Sequence, residues 1–104
     1  MTPNNGEKYT GNRDIALEFN SSAFKHGISE EDIRTAIERF VYNEIMEDDE
    51  EKHLLLGFDT HANLLEIIYN KIDEQTINIF HAMRCRKAYY SLAEEHTRRL
   101  LWQE

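Results

Sequence analysis

A proton carrier and three cations lie within seven residues of this chain, His81-Ala-Met-Arg84-Cys-Arg86-Lys87. Histidine is the side chain whose ordinary pKa lies nearest neutrality, so His81 can take or give a proton at working pH. Arginine presents a planar fork of donors that holds phosphate oxygens and offsets charge building on a phosphorus centre. Together these groups suit metal-free RNA cleavage, in which a base activates the ribose 2′-hydroxyl while cations hold the scissile phosphate. His81, Arg84 and Arg86 are therefore the candidate catalytic residues.

Each has a plainer reading. Period-two alternation puts His81 on the face of Ile77, Ile79 and Met83; if that face is core, His81 is a hydrogen-bonded buried histidine. The lone Cys85, between two basic residues, has a reason for a lowered pKa, but a small half-buried residue is the simpler role. The five histidines show no HExxH or CxxC-like spacing, and one cysteine cannot build a structural zinc site. No metal site and no cofactor is expected, since glycine-rich phosphate loops and a GxSxG elbow are also missing from the sequence.

The elements that must position these groups follow from pattern. Residues 1–14, rich in Asn, Gly and Thr, read as a flexible leader, and 15–104 as one domain of the 104-residue chain. Ile15–Phe19 suggests a first edge strand. Ser21–His26 suggests a helical turn stopped by Gly27. Ser29 is a good N-cap, with Glu30, Glu31 and Asp32 in the first turn where the helix dipole favours acids. Ile28 is placed to staple onto Ile33. Ile33, Ala36, Ile37, Phe40 and Val41 predict one apolar helical face over about 29–41, with Arg34 and Glu38 paired on the other.

The period then changes. Strands are expected near 41–46, 53–58, 64–69 and 76–83, joined by polar turns. From Arg84 the chain reads as helix, with Tyr89, Leu92, Ala93, His96 and Leu100 on one stripe. The fold class is thus α+β, with short N-terminal helices, an antiparallel three- to four-stranded sheet and a C-terminal helix.

Charge is distributed unevenly. Residues 30–51 hold ten acids against two bases, the whole of the net charge of -8. Residues 81–99 are locally basic. A uniformly acidic protein would bind nucleic acid poorly, because phosphate contacts dominate that affinity; a basic strip keeps the option. The apolar runs are too short to span a bilayer and the first residues lack a signal peptide's apolar stretch, so a cytoplasmic protein without membrane contact is expected.

Several short motifs, in order, resemble BrnT-type toxins of toxin–antitoxin pairs. Lys25-His-Gly-Ile-Ser-Glu-Glu-Asp32 is similar to their KHG element. His53-Leu-Leu-Leu-Gly57 and Asn63-Leu-Leu-Glu-Ile-Ile-Tyr69 are similar to two of their strands. Thr76–Met83 followed by Arg86-Lys-Ala-Tyr89 resembles their last strand and basic helix start. Met83 stands where the family has an arginine, and this chain is acidic where such toxins are usually basic. The resemblance implies a RelE-like fold, a metal-independent ribonuclease and a cognate antitoxin protein that covers the active face. In an RNA-cleaving toxin of this kind Lys87, Lys25 and His26 are the expected RNA-binding residues. Two rival expectations stand beside it. One is a catalytically inert module of the same fold, binding a protein through its acidic 44–51 segment. The other, ranked last, is an enzyme acting on a small metabolite.

Overall fold

The computed structural model describes residues 15–101; the leader expected at 1–14 lies outside them. In chain order the elements are β1 (Ala16–Phe19), a 3-10 turn (Ser21–Phe24), α1 (Glu30–Glu38), β2 (Phe40–Met46), β3 (Asp49–Phe58), β4 (Leu64–Asp73), β5 (Thr76–Arg84), a second 3-10 turn (Lys87–Tyr89) and α2 (Tyr90–Leu101). They form an α+β fold around one five-stranded sheet, ordered β1-β5-β4-β3-β2. Strands β2 to β5 are the expected antiparallel meander. The expectation of three to four antiparallel strands is corrected at its edge, where β1 pairs parallel to β5, from Ala16 against Thr76 to Phe19 against Ile79. Reading strand–turn–strand units locally cannot find this pairing, because the partners are distant in sequence.

Helix α1 starts as its sequence dictates. The Ser29 hydroxyl accepts from the Asp32 amide at 3.1 Å, and three acids fill the first turn. Its end is shorter than the apolar pattern suggests. Arg39 leaves helical geometry at φ −109, ψ 41, and the Phe40-Val41-Tyr42 run, aromatic and β-branched, goes into β2. Phe40 is therefore an exposed strand residue, 42% accessible, and not part of the helix face. Arg34 pairs with Glu30, at 2.8 Å, and not with the expected Glu38.

Ile33 and Ala36 are fully buried against the sheet, with Ile28 and Ile37 packed beside them. Burying a side chain like Ile33 contributes about 1.5–3 kcal/mol. The same cluster holds Leu55, Leu65, Ile67, Tyr69, Ile77, Ile79 and Ala82. The other face of the sheet carries a second cluster, Leu54, Leu56, Cys85 and Ala93, with Tyr89 and Leu92 packed against it. Helix α2 covers that side. The side chains of His96 and Leu100, assigned to the same stripe from sequence, lie outside those described. Residues Arg84 to Arg86 are not helical as expected: β5 runs through Arg84, the second 3-10 turn takes Lys87–Tyr89, and α2 begins at Tyr90.

Gly57 permits the close seating of α1 on β3. A Cβ at this position would collide with the Ala36 carbonyl group and stand 3.1 Å from the Phe40 Cα. These are backbone atoms that cannot rotate away. Gly57→Ala is expected to destabilise the fold by at least about 1–3 kcal/mol, the usual cost of overpacking. Urea denaturation read by circular dichroism measures it; an unchanged midpoint would show that α1 is not held at this distance.

Candidate functional site

The phase of β5 decides where His81 goes. Tyr69 pairs with Ile79 and Ile68 with His81, so Phe80 is an extra residue, a bulge. Directly paired residues share a face. Ile79, opposite Tyr69, and Ala82, opposite Ile67, both fall in the α1-side core. His81, opposite Ile68, and Met83, opposite Glu66, fall on the α2 side. The bulge thus corrects the expectation that His81 shares a face with Ile77 and Ile79. It sits where the chain leaves β1: the Asn20 amide donates to the Ile79 carbonyl at 2.9 Å and the Ser22 hydroxyl to the Phe80 carbonyl at 2.7 Å.

Glu66 is the centre of the site, and its side chain is fully buried. His81 Nε2 lies 2.9 Å from its Oε2. Arg86 Nη2 donates to the same oxygen at 2.6 Å, and Nε reaches both oxygens at 3.1 Å. The Arg86 backbone amide donates to Oε1 at 2.9 Å. Burial alone would raise the Glu66 pKa. The hydrogen bonds from the Arg86 side chain and amide and from His81, with the Arg86 charge, outweigh it and hold the carboxyl below its ordinary range. The same contact pushes the Arg86 pKa up.

An ionised carboxylate only accepts, so His81 Nε2 carries a proton. In the neutral ring the lone pair is then on Nδ1, which has no hydrogen-bond partner among the described residues. His81 is 22% exposed through its side chain and so reaches solvent. His26 stands edge-on to it, with ring centroids 5.6 Å apart. The Arg86 side chain is half-exposed, its guanidinium carbon 5.6 Å from the Tyr89 ring centre.

The structure brings His81, Arg86 and His26 together with Glu66. Lys25, at the end of the first 3-10 turn, and Lys87, at the start of the second, are exposed nearby in sequence. Arg84 does not join them. It pairs with Leu65 at the end of β5, makes no hydrogen bond to Glu66, and lines an open cleft of about 470 Å³ with Phe58, Leu64, Cys85 and Tyr90. Cys85 is buried, and burial first, then the Glu66 charge, lifts its pKa to about 11. It is a protonated thiol at neutral pH.

Comparison with family models, with characterised proteins and with solved structures finds no match.

Sequence reasoning missed Glu66. Its signal is present: it is the one charge in the run Leu64-Leu-Glu-Ile-Ile-Tyr69, and a lone acid in an otherwise apolar strand needs a buried partner. Sequence reasoning also missed the grouping of Asp32, Asp59 and His61, whose ligand-type atoms lie within 4.8 Å of one another. Their acceptors are engaged in shaping the 59–63 loop: Asp59 takes the His61 and Asn63 amides, each at 2.8 Å, and Asp32 takes the Thr60 hydroxyl at 2.7 Å.

A depressed carboxyl pKa makes stability depend on pH in one direction. The contribution of Glu66 is full above the ordinary glutamate pKa and is lost as pH falls through its lower folded value. Glu66→Gln is expected to cost roughly 1.5–3 kcal/mol at neutral pH, the scale of hydrogen bonds to a charged group. The gap between wild type and variant should close on acidification below the ordinary carboxylate range. Denaturation midpoints across that range test this; a gap constant with pH would mean that Glu66 carries no stabilising charge.

Proposed function

We propose that this chain cleaves RNA without a metal ion, as the toxin of a toxin–antitoxin pair. The observation that carries the reading is the His81–Glu66–Arg86 contact. Glu66 accepts from the imidazole Nε2, leaving Nδ1 without a hydrogen-bond partner among the described residues, and holds a guanidinium next to it. The ordered motifs similar to BrnT-type toxins support the same reading.

In this mechanism His81 Nδ1 removes the 2′-hydroxyl proton. The 2′-oxygen bonds to phosphorus and the bond to the 5′-oxygen breaks. His26, beside His81, supplies the proton that the leaving oxygen needs. Arg86, through the guanidinium edge not used by Glu66, holds a phosphate oxygen, and Lys87 and Lys25 extend the contact along the backbone. The products are a 2′,3′-cyclic phosphate and a free 5′-hydroxyl.

His81→Gln should lower RNA cleavage by about a hundredfold to ten-thousandfold, the range for losing a general base. Its melting temperature should stay near that of wild type, because Glu66 keeps Arg86. Arg86→Lys retains charge without the fork and should cost roughly a hundredfold. Arg84→Ala, outside the Glu66 hydrogen-bond network, should leave the rate within about tenfold. Cleavage should continue in EDTA, and the new ends should be cyclic phosphates. Wild-type protein that leaves RNA intact with and without ribosomes would end this reading.

A toxin needs a silencing partner. The cognate antitoxin should cover the face that bears His81 and Arg86. Hydrogen exchange of the complex should then slow most across 80–86; protection confined to other elements would contradict the assignment.

A further inference from the structure

Strand β2 closes one side of the sheet and pairs only with β3. Every second residue of a terminal strand turns its amide and carbonyl outward. Among the described residues no hydrogen bond from outside the sheet reaches the backbone of 40–46. The strand carries no proline and no lysine, two common guards of an open edge. Its register is regular from Tyr42 to Ile45, between irregularities at Phe40/Tyr42 and at Ile45/Met46 that confine the open stretch to these residues. Ile45 is 56% exposed and Phe40 is 42% exposed, so apolar surface accompanies the free backbone.

The charge around this edge selects its occupant. Glu44, Glu47, Asp48, Glu50 and Glu51 are exposed on β2 and on the hairpin to β3. The one base in that stretch, Lys52, already sits 3.7 Å from Asp49. Two copies, each with a net charge of -8, would repel one another on approach, and RNA would be repelled too. A neutral strand would gain backbone bonds only. A basic strand gains backbone bonds and charge complementarity together.

We propose that the β2 edge accepts an extended basic segment of a partner protein as a sixth strand. Backbone pairing supplies affinity, Ile45 and Phe40 the apolar contacts, and the acids the choice of partner. The proposal does not rest on RNA cleavage, and its test reads no cleavage.

The probe is a short synthetic peptide of alternating lysine and valine, titrated into the isotope-labelled full chain. Saturable amide shifts centred on 40–46 are expected, weakening as salt is raised. The same peptide N-methylated at alternate residues keeps its charge but loses its backbone donors, and should bind at least about tenfold more weakly. A glutamate–valine peptide should not bind. Glu44→Lys with Glu47→Lys should weaken the lysine peptide by about tenfold or more. The proposal is overturned if the peptide does not saturate, if N-methylation changes nothing, if the shifts map elsewhere, or if the chain alone sediments as a dimer paired through this edge.

Discussion

A carboxylate buried on the central strand β4 is the constraint from which the functional half of this molecule follows. An isolated ionised carboxyl is too costly to remove from water. Glu66 is tolerated because the chain after β5 folds back over it. The last ladder-like bond is from the Cys85 amide to the Leu64 carbonyl, at 2.9 Å. One residue later the Arg86 amide turns to Glu66, and the guanidinium follows. The strand therefore stops, the 3-10 turn begins, and α2 is aimed across the sheet. Charge satisfaction at one atom pair sets the path of the chain as well as the chemistry of His81.

The acidic and basic parts of the chain are kept apart by the same sheet. Strands lie roughly 4.8 Å apart, so β2 is about 14 Å from β5. That exceeds the screening length of roughly 8 Å at physiological salt. The acids of the β2–β3 hairpin therefore do little to neutralise the cations at the end of β5. A net charge of -8 is a poor guide to the potential that an anion meets at Arg86 and Lys87.

Much of the fold is legible from residue pattern. Ser29, its three following acids and the Ile33–Ala36 spacing define α1, and the polar turns separate the four meander strands. The illegible parts have physical causes. The parallel partner of β1 is non-local, so no turn signals it. The end of α1 is decided by competition, since Phe40 and Val41 continue a helical stripe and also suit a strand. In the site, His81, Arg86 and His26 can be found as residue types. The side of the sheet that His81 takes cannot be, because the Phe80 bulge shifts the alternation by one residue and leaves no mark in composition. Arg84 and Arg86 look equivalent in sequence, yet they separate because one ends a strand and the other follows it.

The parallel pairing of β1 with β5 bears on how the molecule is made. Ala16 and Thr76 are sixty residues apart. Ribosomes add roughly 5–20 residues per second, so β1 waits about 3–12 s for its partner to be synthesised. Contacts of such long range also form late in refolding, since loop closure must precede them. His26 hangs from the segment just after β1, and its neighbour His81 lies on the strand that arrives last. A nascent chain can therefore fold α1 onto β2 to β4 while the cluster around Glu66 does not yet exist. Assembly of that cluster is a closing event of biogenesis, coupled to completion of the sheet.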